Sequence, residues 1–382
     1  MDSSARVPVG EIAVIGRFDG GNPQFSSDIV KVDDETFNIF PYSEDRDDNY
    51  MFRVDVRVCS SHKEPKPVNL RFEWRAWQAE RYMDLRNEFF CRHEGGDWRL
   101  EHGKVERNVT TLHLTVPPGE TEVSMNAGYN YDALRSYIRS LRRNPIVDLS
   151  IIGFSEESRS IWCLTLTDRK VPDESKRRIL VISRVHPYET ASSYCSESMV
   201  NYLLSSDPNA KELLAKFIFN VIPMPNPDGV YNGLCKLTRE NGLDFSHGNI
   251  LASQDRAGKT LVSFARHIKP HYVLDIHSLM DREYDQVGSN DERLLERFID
   301  LMPDQIDVGR RWKILMQRIG KTLEPKIKRS DYGFTSFCAE ELGSTNFLLG
   351  FSWFGRSFDK MERTAIKALK ALGDAILSGE KS

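Results

Sequence analysis

The sequence predicts an α/β fold: a mixed, mostly parallel sheet flanked by helices, preceded by an antiparallel β-sandwich domain. Three observations carry this. At 382 residues the chain is longer than one ordinary core fills, which points to a small domain and a larger one of about 250 residues. Its first third alternates apolar and polar residues with period two, broken by Gly, Pro and Asp clusters, as half-buried antiparallel strands do. Beyond it, continuous apolar runs alternate with amphipathic segments, the pattern of strands buried on both faces and the helices that cover them. The boundary is placed to give a β-sandwich-like domain at 1–128 and an α/β domain at 129–382.

From Glu11 to about Met125 the strands are "YMFRVDVRVC", "VNLRFEWRAW", "TTLHLTVPP" and "TEVSMNAG". The histidines of this third, His62, His93, His102 and His113, have no ligand-like spacing and read as surface or packing residues. "YNYDALRSYIRSLRRN" has helical spacing at Leu134, Tyr137, Ile138 and Leu141. "RRILVISRV" is then a buried strand, "ETASSYCSESMVNYLLSS" a helix, "FIFNVIPMPNPDG" a strand entering a turn, and "HYVLDIHS" another buried strand. "DERLLERFIDLM", "RWKILMQRIGKTL" and the closing "RTAIKALKALGDAIL" are read as helices.

Composition excludes several classes of function. A hydrophobic fraction of 40% without biased or repeated segments describes a globular chain. A formal net charge of -4 offers nothing to nucleic acid or to an acidic membrane, and the basic runs Lys176-Arg177-Arg178 and Arg310-Arg311 read as solvated faces. No window reaches the roughly 18 apolar residues of a membrane span, and the opening residues lack a secretory pattern. The six cysteines are scattered without a Cys-x-x-Cys pair, which fits free thiols in a reducing, cytoplasmic setting; the sequon Asn108-Val109-Thr110 is then incidental.

The stretch with chemistry is "RVHPYETAS", Arg184 to Ser192. A chain of this composition contains on the order of one His-x-x-Glu by accident, so the surroundings decide. His186 and Glu189 fall where one apolar strand ends and a helix begins, and Pro187 holds His186 out of helical geometry. A second strand ends in the same manner at His277. Sites in such sheets lie at the carboxyl ends of strands, and two imidazoles with one carboxylate are the protein ligands of an open zinc site, one ion per chain.

In order and spacing, "HPYET", "PMPNPDGV", "GLDFSH", "DIHS" and "FCAEELG" resemble the zinc carboxypeptidases, and among them the cytosolic carboxypeptidase branch, whose members carry a β-sandwich ahead of the catalytic domain. "GYNYDALRSYIRSL" is similar to the junction between those domains. The resemblance implies a cytoplasmic zinc metallopeptidase acting on a peptide or protein-tail substrate. It implies His186, Glu189 and His277 as zinc ligands, Asp244 as the carboxylate orienting a ligand histidine, and Arg239 as the group that stabilises the oxyanion. It implies Glu341 as general base toward a zinc-activated water; neighbours in a strand face opposite ways, so only one of Glu340 and Glu341 can face the metal, and Glu341 is preferred because Glu-Leu followed by a turn and the apolar run "STNFLL" resembles the family pattern.

The chain departs from the family where Asp-x-Asn-Arg is expected and Asp244-Phe245-Ser246-His247 stands. Ser246 and His247 then fall where the family clamps a substrate carboxylate, and neither replaces a guanidinium fork. Arg282, Lys328 and Arg329 are the substitutes on offer. Three readings follow: a metallocarboxypeptidase, a zinc amidohydrolase or deacylase on the same scaffold acting on a modified amino acid or isopeptide, and a metal-retaining binding module.

Overall fold

The computed structural model describes residues 7–41, 53–74, 87–278, 284–302, 311–314, 332–353 and 356–379. The chain divides into two compact units, one of Met1–Asp132 with Gly229–Arg239 and one of Ala133–Asp228 with Glu240–Ser382.

Among the described residues of the first unit ten short strands follow one another. They are β1 (Ile12–Ile15), β2 (Ile29–Lys31), β3 (Thr36–Ile39), β4 (Asp55–Ser60), β5 (Lys66–Glu73), β6 (Glu88–His93), β7 (Arg99–His102), β8 (Lys104–Glu106), β9 (Val109–Val116) and β10 (Gly119–Ser124). They form two sheets of five, ordered β1-β4-β10-β6-β7 and β2-β3-β5-β9-β8. Every pairing is antiparallel except β3 with β5. The alternation of β5 buries Val68, Leu70 and Phe72, which share one core with Val56 and Val58 of the other sheet. Trp74 closes that core by donating its indole N–H to Thr110 Oγ1 at 2.8 Å, so its polar edge is satisfied where it is buried.

The second unit carries one mixed sheet of eight strands. These are β11 (Val147–Phe154), β12 (Ser160–Leu166), β13 (Arg177–Ser183), β14 (Phe217–Ile222), β15 (Tyr272–His277), β16 (Tyr284–Ser289), β17 (Arg311–Ile314) and β18 (Thr345–Gly350), in the order β11-β12-β14-β13-β15-β18-β16-β17. The central four, β14-β13-β15-β18, run parallel. Their continuous apolar runs are buried on both faces, as predicted. Leu180, Ile182 and Val273 pack on one face with Leu261 and Ala265 of the helix Arg256–Ile268 and with Phe334 and Phe337 of the helix Phe334–Leu342. Residues of the other parity, such as Val181 and Leu274, are equally buried, and the helices Thr190–Leu203 and Phe358–Gly379 pack together.

Two local readings are corrected. "FCAEELG" is not a strand: Phe334, Phe337 and Cys338 recur at helical spacing, and the helix they anchor stops at Gly343, whose φ of 68° is left-handed. The strand-parity argument that only one of Glu340 and Glu341 can face the metal therefore does not apply. "RWKILMQRIGKTL" does not open as a helix either. Arg311–Ile314 form β17, which pairs in parallel with β16, and the remainder lies outside the described residues. A short apolar run suits either state, and an available strand edge decides it.

Candidate metal centre

Parallel pairing sets the site. Ser183 at the end of β13 stands opposite Ile276 of β15, so the turn after β13 leaves the sheet at the edge where His277 ends β15. That turn is held from within by Arg184. Its φ of 60° places a non-glycine residue in the left-handed region, which costs about 1–2 kcal/mol. The buried side chain offsets the cost by donating from Nε to the Pro187 carbonyl at 2.7 Å and from Nη1 to Ser193 Oγ at 3.1 Å. Its amide donates to Ser192 Oγ at 3.0 Å, and the Ser192 hydroxyl donates to the Glu189 carbonyl at 2.6 Å. The turn so fastened delivers His186 and Glu189, and the helix Thr190–Leu203 begins directly after them.

His186, Glu189 and His277 converge, with one ligand atom from each lying within 4.8 Å of the others. Their exposures of 4%, 1% and 4% leave no solvent to carry a bare carboxylate, so Glu189 depends on partners. It has three. His186 Nδ1 lies 2.9 Å from Oε1, His277 Nδ1 lies 2.9 Å from Oε2, and the Ser278 amide donates to Oε2 at 3.1 Å. The far nitrogens are also taken: His186 Nε2 lies 3.2 Å from Asp244 Oδ1, and His277 Nε2 lies 3.0 Å from Asp275 Oδ2.

This arrangement fixes the electrostatics. Burial alone would push the Glu189 carboxyl upward, but the two imidazoles outweigh it and hold the group well below the usual carboxylate range. For His186 burial favours the neutral ring, yet Glu189 and Asp244 prevail and its pKa lies above the ordinary value. His277 is raised further by Asp275 and Glu189 against the same burial. Each of the four ring nitrogens has a carboxylate oxygen within 3.2 Å.

The donor set fits a zinc ion. Two imidazole Nδ1 atoms and one carboxylate face a common point, and each ring has an acceptor for its Nε2 proton, the partner that metal-bound histidines ordinarily have. The stabilisation that the two imidazoles give the Glu189 carboxylate is of the kind a divalent ion would supply in their place.

Of the expected site residues, the structure thus gathers His186, Glu189, His277 and Asp244. Ser246 and His247 serve Asp244 through their backbone: their amides donate to Asp244 Oδ1 at 2.8 and 3.2 Å. Arg239 belongs to the other compact unit, where its guanidinium donates to Asn232 Oδ1. Arg282, Lys328 and Arg329 lie outside the described residues.

Glu341 is not brought to the cluster, which corrects its expected role as base. Thr345, four residues after it, pairs with Tyr272 at the amino end of β15, whereas His277 pairs with Gly350 at the carboxyl end. Five residues of strand, at about 3.3 Å each, place the two ends about 16 Å apart. Glu341 is partly exposed there and accepts from Arg266 Nη2 at 2.8 Å.

Sequence reasoning missed Asp275, Arg184 and Ser278. The first was detectable, since Asp-x-His within a strand puts both side chains on one face.

Residues 134–243 match the family model described as zinc carboxypeptidase. The match takes in His186 and Glu189 and ends one residue before Asp244. Mouse (Mus musculus) cytosolic carboxypeptidase 2 is 36% identical over 112 residues, which are 28% of this chain and 13% of that protein. Mouse cytosolic carboxypeptidase 6 is 33% identical over 109 residues, again 28% of this chain and 20% of the relative. The chain therefore aligns with only a small part of the length of these relatives. Among solved structures, a metallo-carboxypeptidase from Burkholderia cenocepacia superposes with a TM-score of 0.78 at 16% identity, covering 96% of this chain and 99% of its own. One from Pseudomonas aeruginosa, in complex with (2-guanidinoethylmercapto)succinic acid, gives 0.76 at 15% identity, covering 95% and 99%. At such identities the superpositions establish a shared fold.

Proposed function

We propose that the chain is a zinc-dependent hydrolase of an amide bond at the end of a peptide or protein tail, acting in the cytosol, a reading supported by the match of residues 134–243 to the zinc carboxypeptidase family model and by the similarity to cytosolic carboxypeptidases. The observation that carries this reading is the buried His186–Glu189–His277 cluster with an aspartate behind each ring. No described helix is long and apolar enough to cross a membrane, and neither membrane nor nucleic acid is proposed as a partner.

His186, Glu189 and His277 would hold one zinc ion, which when bound supplies a Lewis acid that polarises a carbonyl and lowers the pKa of water from about 16 toward 7. The protein's own contribution is preorganisation. Asp244 and Asp275 hold the two rings in plane and in tautomer. The Ser278 amide orients Glu189, and Arg184 keeps the turn from opening. The larger domain proposed at 129–382 carries all of these residues. For Arg239 the role of oxyanion donor remains a proposal from family resemblance, tested by Arg239→Ala. That change should lower kcat on the order of 100-fold with zinc retained.

The sequence Asp244-Phe245-Ser246-His247 favours a second reading of the substrate. With no arginine beside Ser246 to grip a terminal carboxylate, an amidohydrolase acting on a modified amino acid or isopeptide fits the same metal centre. Mass spectrometry of a peptide library with free and amidated C-termini, incubated with the zinc-loaded chain and with His186→Ala as control, separates the two. Loss of single residues from free acids alone is the carboxypeptidase outcome. Cleavage indifferent to amidation is the amidohydrolase outcome. A zinc-loaded protein that cleaves nothing refutes the hydrolase and leaves a metal-retaining binding module.

A further inference from the structure

We infer that Asp275 is a positioning residue that commits His277 to bind metal through Nδ1. This rests on the metal centre proposed above. Asp275 and His277 are two apart on β15 and so share a face, and Asp275 Oδ2 lies 3.0 Å from His277 Nε2. Their side chains are 6% and 5% exposed, so water competes little for that proton. A metal-binding imidazole carries one N–H. Donated from Nε2 to Asp275, it leaves the Nδ1 lone pair facing Glu189, whose Oε2 is 2.9 Å away.

The matching aspartate on the other ligand divides its hydrogen bonds. Asp244 Oδ1 meets His186 Nε2 at 3.2 Å while also accepting from the Ser246 and His247 amides. Asp275 receives no such amide among the described residues, and each aspartate has one oxygen, Asp275 Oδ1 and Asp244 Oδ2, buried without a hydrogen bond there. The Asp275 charge is thereby concentrated on His277, and a charged acceptor strengthens the bond and the basicity of the ring behind it. Asp244 has a second task, shaping the turn that follows it; Asp275 has the imidazole.

The test replaces Asp275 with Asn, which keeps the shape and removes the charge. Zinc affinity is measured by competition with a chromophoric chelator, beside the Tm of the metal-free protein, for wild type, Asp275→Asn and Asp244→Asn. Asp275→Asn should weaken zinc binding about 10–100-fold, by more than Asp244→Asn does, and the affinity loss should exceed what any change in metal-free Tm accounts for. Wild-type affinity in a folded Asp275→Asn protein overturns the inference, since a structural aspartate would move Tm alone. Should the variant not fold, histidine nitrogen NMR of the zinc-loaded wild type decides: a protonated Nε2 on His277 supports the inference, and a metal-bound Nε2 overturns it. A wild type that takes up no zinc removes the metal centre and this inference together. Weakened zinc binding in a protein whose wild type cleaves nothing leaves the inference standing and removes the hydrolase.

Discussion

At the carboxyl end of β15 His277 lies buried between Glu189 and Asp275; at the amino end Glu341 and Arg266 meet with side chains 37% and 54% exposed. Both ends hold charged pairs of good geometry, yet they differ in what solvent permits. In the open, a carboxylate and a guanidinium are nearly as well served by water as by one another, and such pairs contribute about 0–1 kcal/mol. In the interior each carboxylate requires its partners, so removing one leaves a stranded charge. A functional centre is recognised here by burial and mutual dependence. Ion pairing alone would have selected the wrong glutamate.

The sharpest way to break this contrast is His186→Ala. It removes one of three ligand groups and one of the two rings that hold Glu189 ionised, so zinc content, read by elemental analysis, should fall from about one per chain to near zero. Full retention would show that the metal sits elsewhere. Next in size is Arg184→Ala, which leaves the Pro187 carbonyl without the Arg184 donor and no longer offsets the left-handed φ of residue 184. A loss on the order of 2–3 kcal/mol in denaturant unfolding is expected, with zinc bound more weakly because His186 and Glu189 ride on that turn. Unchanged stability would mean that the turn is held by its hydroxyl and amide bonds instead. Adding zinc at about 100 times its Kd should stabilise the wild type by about 2.7 kcal/mol, and this increment should vanish in His186→Ala.

The layers of the larger unit were legible because buried parallel strands cannot hide: "ILVIS", "FIFNVI" and "YVLDI" have no polar face to confuse with a surface helix. The ligands were legible for a related reason, since His186 and His277 each close such a run where a parallel sheet presents its sites. What escaped was short or mutual. Phe334 to Leu342 carries too few apolar residues for periodicity to outvote a strand, and only the left-handed Gly343 marks its end. Strand parity puts Asp275 on the face of His277, but only the 3.0 Å between them shows that the two side chains meet. The return of residues 229–239 to the first unit is a tertiary fact with no local signature.

The smallest effect tests the contrast most severely. Glu341→Gln keeps size and shape, removes one exposed charge and weakens the contact with Arg266. Its distance from His277 along the sheet leaves it no path to a substrate at the metal, so kcat/KM should stay within about twofold of wild type, and stability within about 1 kcal/mol. Zinc content should be unchanged. Arg266 also stands over the Phe337 ring with its guanidinium carbon 5.3 Å from the centroid, so it keeps a resting place when the carboxylate is gone. A hundredfold fall in kcat with zinc still bound would restore Glu341 as the base. It would also require the helix Phe334–Leu342 to leave its place at the amino end of β15, which a shift in amide exchange across Phe334 and Phe337 would reveal.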